Sequence, residues 1–237
     1  MHFPDPLVRG TLIQRYKRFL SDIEMEDGET ITAHVANPGS MIGLAEPGSE
    51  VWLSPNRNPK AKLDWRWELV KVDDHLVGVN TSHPNKLVEE AIARDGIAEL
   101  AGYDTLRREV KYGQNSRIDI LLEDAAKPDC YVEIKNVNLK RGQPGRETAA
   151  EFPDAVTKRG AKHLVELSDM VAEGHRAVML YLVQRGDCDH LRIAGDIDPG
   201  YAEALDAATK AGVEAICYVC DMRLDGIDVA TALPVKL

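Results

Sequence analysis

The sequence predicts an α/β (α+β) protein in two parts: a small five-stranded barrel, then a mixed sheet with helices on its faces. Two observations carry this. Over the first eighty of 237 residues, short apolar runs are broken by Asp27-Gly28, Pro38-Gly39 and Pro47-Gly48, without helical periodicity. From Ser82 onward, helical stripes alternate with strand-like runs. Hydrophobic residues at 44% and charged residues at 29% suit a globular chain with its own core and exclude a collagenous or disordered one.

In order, strands are expected at Gly10–Met25 with a bend in the middle, Glu29–Val35, Ser49–Leu53, Trp65–Val72 and His75–Val79. Five strands without a helix point to an OB-like barrel. Asn85–Leu100 then places Leu87, Val88, Ala91, Ile92 and Ala98 on one helical face. Strands follow near Leu106–Tyr112, Ser116–Leu122 and Cys130–Asn136, a helix near Ala155–Glu173, a strand at Ala177–Gln184, a helix at Tyr201–Ala211 and a strand at Val213–Cys220. The boundary is expected near Asn80–Pro84, giving parts at 1–81 and 82–237.

The amino terminus has no apolar signal core and no run is long enough to span a bilayer, so a cytoplasmic protein without a membrane partner is expected. Four cysteines make no disulfide framework. The pair Cys217 and Cys220, inside VEAICYVCDM, reads as a buried strand rather than a zinc or redox site.

The chemistry concentrates in SRIDILLEDAAKPDCYVEIKNVNL, two strand-like runs joined by a polar turn. Alternation puts Ile118, Ile120 and Leu122 on one face and Arg117, Asp119 and Leu121 on the other; on the second strand Tyr131, Glu133 and Lys135 oppose Val132 and Ile134. A turn about Ala126 sets Asp119 opposite Glu133 and Arg117 opposite Lys135. Facing carboxylates destabilise a sheet, and a divalent cation between them removes that penalty. Mg²⁺ commonly takes one or two carboxylates plus water and phosphate oxygens, and a neighbouring lysine can orient the attacking water. These are the residue types that metal-dependent phosphodiester cleavage needs.

The hairpin, with the helix and strand before it, resembles the core of the PD-(D/E)xK nucleases. More closely, HVANPGSM (34–41), SRIDILL (116–122), YVEIKNVNL (131–139) and FPDAVTKRGAKHLVEL (152–167) together resemble the sugar fermentation stimulation protein A (SfsA) family nearly end to end. The resemblance implies an OB-like first domain, a PD-(D/E)xK nuclease-like second domain, DNA as partner and a connection with sugar (maltose) utilisation. It assigns Asp119, Glu133 and Lys135 as catalytic, with Asp119 and Glu133 on Mg²⁺ or Mn²⁺. A further acid often comes from the first core helix. Glu89 and Glu90 flank its apolar stripe, and Glu90 is the preferred candidate.

Nucleic-acid contacts are expected from three places. Arg15, Lys17 and Arg18 lie in RYKRF, where bases and aromatics interleave along a strand, and Trp65 and Trp67 share a strand face, either as a stacking platform or as core. Lys140, Arg141 and Arg146 lie in a Gly- and Pro-containing loop suited to clamping phosphate. In the helix after Pro153, capped by Asp154, the apolar face comprises Val156, Leu164, Leu167 and Val171. His163 sits at its edge, Arg159 just beyond, and Lys158 and Lys162 point outward toward DNA or water. NPGS (37–40) has no assigned role.

The net charge of −10 excludes a broadly cationic protein. Yet residues 106–163 hold twelve basic and nine acidic groups, while both other portions are net acidic. DNA binding at a restricted, salt-sensitive cleft remains open. Three functions are therefore weighed: a metal-dependent nuclease, a non-catalytic DNA-binding regulator on the same scaffold, and a sugar- or metabolite-binding module. The last has no Gly-rich phosphate loop behind it.

Overall fold

The computed structural model describes residues 1–113, 115–142, 144–145 and 147–236. The amino-terminal part is a barrel of five strands: β1 (Val8–Tyr16), β2 (Leu20–Met25), β3 (Thr30–His34), β4 (Glu50–Pro55) and β5 (Trp65–Val72). The order is β3-β2-β1-β4-β5, and His34 pairing with Arg66 closes it; β6 (His75–Gly78) lies beyond β5. The bend expected in Gly10–Met25 is a full reversal. Lys17 and Arg18 adopt φ of 46° and 66°, so RYKRF is a hairpin tip and not a run along one strand. Closure also decides the tryptophans: Trp67 is fully buried, its indole N–H donating to the Leu69 carbonyl, and Trp65 packs against the same core.

The second sheet has six strands. They are β7 (Thr105–Tyr112), β8 (Ser116–Glu123), β9 (Cys130–Val137), β11 (Arg176–Val183), β13 (Glu214–Met222) and β14 (Ile227–Ala232), in the order β14-β13-β11-β9-β8-β7. The central β9, β11 and β13 are parallel and the outer pairs antiparallel. A strand buried on both faces reads as an unbroken apolar run, which is why β11 was plain in the sequence. Short strands were not: β10 (Ala149–Phe152), β12 (His190–Ile193) and β15 (Val235–Lys236) form a separate parallel sheet, and they and β14 escaped the alternation test because so few residues carry it.

Helix α1 (Pro84–Ile92) packs through Leu87, Val88 and Ala91 on one face of the large sheet, where the barrel also contributes Leu69. Helices α2 (Lys158–Ala172) and α3 (Pro199–Ala211) cover the other face. Helix α1 is shorter than expected, and Ala98–Leu100 forms a separate 3₁₀ turn. The start of α2 is likewise later than expected. Thr157, whose side chain accepts from the Gly160 N–H, is the cap, and Val156 is two-thirds exposed outside the helix. Asp154 instead crosses to the barrel, taking the Ser40 hydroxyl and the Met41 N–H. A β-carbon on Gly39 would stand 2.3 Å from Asp154 Oδ2, so the carboxylate comes close to the NPGS turn where the two parts touch.

The thiols Cys217 and Cys220 lie on opposite faces of the large sheet, one in each core cluster. Three residues apart on a strand, they cannot converge on one ion. Burial pushes the Cys217 thiol up to about 12. Among the described residues, no helix is long and apolar enough to cross a membrane.

Candidate metal and nucleic-acid site

Strands β8 and β9 pair about residue 126, with Leu122 opposite Cys130, Leu121 opposite Tyr131 and Ile120 opposite Val132. There the recorded pairing stops. Asp119 and Glu133, which this register would place face to face, are left unpaired, as are Arg117 and Lys135. The Asp119 carboxylate takes the place of a β8 carbonyl by accepting the Ile134 N–H at 2.8 Å. Alternation breaks at the same point: Ile118 joins Leu121 in one core cluster, while Ile120 and Leu122 lie in the other. Opposite, Glu109 takes a φ of 53° and drops out of the β7–β8 pairing. The two strands thus open into a fork at the level of the two carboxylates.

Glu133 lies at the centre of the fork, 3% exposed. Its Oε1 accepts from Lys135 Nζ at 2.8 Å and from His163 Nδ1. Arg159 Nε donates to His163 Nε2 at 3.2 Å, so Nε2 is the acceptor and the proton sits on Nδ1, facing Glu133. Burial pushes the Glu133 carboxyl upward, but the hydrogen bonds from His163 and Lys135 and the Lys135 charge outweigh it and hold it below the ordinary range. For Asp119, burial and then the Glu133 charge prevail, raising it despite the Ile134 N–H, Asn85 and Lys135. The two carboxylates are thus electrically coupled and pushed apart in acidity, a pattern common in functional sites.

Three further groups border the site that the sequence reading had not assigned. Asn85, in the first turn of α1, donates to Asp119 Oδ1 at 2.9 Å. Tyr112 is pushed far above the usual phenol range, first by burial and then by Glu133, Glu166 and Asp119. Glu166 is buried and, among the described residues, neither of its oxygens is hydrogen-bonded, although Lys162 Nζ stands 3.3 Å from one of them. A clue to Glu166 was available, since Arg159, His163 and Glu166 recur at helical spacing on α2. Asn85 had none, because it reads as an ordinary residue of a helix start.

Glu90 is corrected. It salt-bridges the Met1 ammonium at 2.9 Å and lies 3.6 Å from Lys86, while Glu89 pairs with Arg108. The α1 residue that meets Asp119 is therefore a neutral amide.

Several expected nucleic-acid contacts are also occupied within the protein. Arg15 donates to the carbonyls of Arg18, Asn37, Gly39 and Ser40 and acts as a strut inside the NPGS turn. Lys140 pairs with Asp187, and Arg141 with Glu151 and Asp196, so the loop clamp is neutralised at that end; Arg146 lies outside the described residues. His163 is buried with both nitrogens engaged and cannot also hold a phosphate. Lys17, Arg18, Lys158 and Arg159 are exposed. Lys162 is half-exposed and bonds the Ser116 hydroxyl at 3.1 Å.

Among the described residues, no three Asp, Glu, His or Cys side chains form a metal-holding group. Glu133 Oε2 is nevertheless buried without a partner, an expensive state for a carboxylate oxygen. Two carboxylates with an all-oxygen donor set fit a hard divalent ion completed by water and substrate oxygens.

Comparison with known proteins places this geometry in a family. The SfsA N-terminal OB domain model matches residues 13–79, and the sugar fermentation stimulation protein RE domain model matches residues 82–226. Sugar fermentation stimulation protein homologs of Paramagnetospirillum magneticum and Rhodospirillum centenum are 62% and 59% identical, covering 100% and 98% of this chain and 98% of each relative. The structure of Pyrococcus furiosus SfsA in complex with Ca²⁺ superposes with a TM-score of 0.89 at 25% identity, over 100% of this chain and 98% of that one. With both halves matched, the chain belongs to the sugar fermentation stimulation protein (SfsA) family.

Proposed function

We propose that the protein is a divalent-metal-dependent phosphodiesterase acting on DNA. The observation that carries this reading is the unpartnered, buried Oε2 of Glu133 at the open β8–β9 fork, beside Asp119 and Lys135. Asp119 and Glu133 would hold Mg²⁺ or Mn²⁺, which when bound supplies Lewis acidity and neutralises charge at phosphorus. A relative that was solved with Ca²⁺ supports divalent binding at this fold.

The chain's own groups divide the remaining work. Lys135, anchored on Glu133 Oε1, orients water toward the phosphate and offers positive charge to its oxygens. His163 is a positioning residue: with its tautomer set by Arg159, it fixes the Glu133 carboxylate by donating from Nδ1. Arg159 and Lys158, exposed near the start of α2, hold the phosphate backbone. Water adds to phosphorus, one P–O ester bond breaks, and the leaving oxygen takes a proton.

Plasmid and oligonucleotides incubated with Mg²⁺ or Mn²⁺ test the reading. Wild type is expected to cleave, and Asp119→Ala and Lys135→Ala are expected to lose cleavage. Equal cleavage by all three, or none by wild type, removes the catalytic claim. Salt-sensitive DNA binding without any cleavage would instead mark a regulator on a nuclease scaffold.

A further inference from the structure

A pocket of about 350 Å³ lies between the NPGS turn of the barrel and the C-terminal end of β9. That volume suits a small organic group. One residue beyond Lys135, Asn136 enters its lining, and Asn138 follows two residues on. Thr157, the cap of α2, closes another side. Through Thr157 the pocket adjoins the start of α2, where the exposed Lys158 and Arg159 follow.

Its chemistry is not that of a phosphate site. Among the described residues its lining contains no lysine or arginine. Its two carboxylates are engaged, Glu151 by Arg141 and Asp154 by Ser40 and Met41. What remains is apolar wall, chiefly Pro38 and Phe152, and two amides with capacity to spare. Asn136 accepts at Oδ1 from Gln184, and among the described residues its Nδ2 has no acceptor. Asn138 donates from Nδ2 toward the Gly78 carbonyl, and among the described residues its Oδ1 has no donor. An amide with a free donor and an amide with a free acceptor thus both line the pocket, together with an apolar wall. A neutral, planar, polar-edged group fits such a surface, and an anion does not.

We propose that this pocket receives one unstacked nucleobase of the bound strand, its edge against Asn136 and Asn138, while the neighbouring phosphate lies at Lys158 and Arg159. This deepens the nucleic-acid reading above and rests on it. It gives the NPGS turn a role, since Pro38 forms one wall and Asp154 seats the turn against the second sheet. It also makes the site sensitive to base as well as backbone.

The test measures anisotropy of labelled single-stranded oligonucleotides, with EDTA and separately with Ca²⁺, moving one abasic position along the strand. For wild type, an abasic residue at one or two positions is expected to weaken binding roughly tenfold, the scale of one lost base contact. Asn136→Ala should bind the intact strand about as weakly as wild type binds the abasic one, and then lose nothing more. Ala155→Trp, a substitution at the exposed rim, serves as the second variant and should give the same coupling. An abasic strand that binds normally at every position overturns the proposal, as does an abasic penalty that adds in full to both variants. Absence of binding to any strand removes the nucleic-acid reading itself. Binding with the abasic penalty but without cleavage keeps the pocket and removes only the hydrolysis.

Discussion

His163 donates from Nδ1 to the same Glu133 oxygen that accepts Lys135, leaving the other oxygen buried and unpaired. One face of the carboxylate is thereby saturated and immobilised, and the other is kept for a ligand. Outer partners of this kind commonly change metal affinity or activity by about 10–100-fold when removed. His163→Ala is expected to weaken Mn²⁺ binding on that scale by calorimetry, and His163→Gln, which retains a donor, should recover part of it. Unchanged affinity in both would mean that the histidine serves packing alone.

Asp119 is the strained member of the pair. Its acidity is raised by burial and then by Glu133. A folded value above the unfolded one means that its contribution to stability is fully present below the unfolded pKa and is lost as pH rises through the folded pKa. At neutral pH its ionised form therefore costs stability. Asp119→Asn should melt about 2–4 °C higher than wild type without metal, for a gain of about 1 kcal/mol. It should also lose the rise in melting temperature that Mg²⁺ or Mn²⁺ gives wild type. A lower melting temperature for the variant would contradict the charge argument.

Glu68 works in the opposite direction. It is 3% exposed and accepts from Ser54 and Asn80 at 2.7 Å, with His83 Nε2 also at 2.7 Å. These residues tie the barrel to the start of α1. Burial raises the Glu68 carboxyl, but His83, Ser54 and Asn80 together bring it below the ordinary value. Its contribution is therefore present above the unfolded carboxylate pKa and is lost as pH falls through the lower folded value. Glu68→Gln should cost about 3 kcal/mol at pH 7 and flatten the fall in stability between pH 5 and 3 in denaturant titrations. Parallel pH profiles for variant and wild type would exclude the tie.

Legibility in the sequence followed the length of the signal. The register about residue 126 could be read because a short polar turn separates the two runs, and the three pairs next to it, Leu122–Cys130, Leu121–Tyr131 and Ile120–Val132, follow that turn. The fork could not, because it depends on Asp119 finding the Ile134 N–H, a contact between two strands that alternation treats as parallel rows. Burial of Trp67 followed from closure of the barrel by His34 and Arg66, a pairing of distant segments. Glu90 was misplaced for a similar reason: a helical wheel shows the edge on which it lies but not that Met1 returns to meet it. Charge counts misled most at Lys140 and Arg141, whose acidic partners Asp187, Glu151 and Asp196 come from later or neighbouring segments.

That distinction between exposed and internally paired cations separates stability from binding. Arg15 satisfies four carbonyls around the NPGS turn, and Arg15→Ala should cost about 2 kcal/mol by leaving several of them short of a donor. Its effect on DNA binding should not change the dependence on salt. Lys17 and Arg18, exposed at the hairpin tip with no such duty for their side chains among the described residues, should behave oppositely. Each phosphate contact contributes close to one unit to the slope of log K against log salt, so Lys17→Ala and Arg18→Ala should each reduce it by about 1 with little loss of melting temperature. Lys140→Ala should leave the slope unchanged, because its ammonium is already neutralised by Asp187 at 2.7 Å. A slope that falls for Lys140→Ala and holds for Lys17→Ala would move the nucleic-acid path from the barrel tip to the loop after β9.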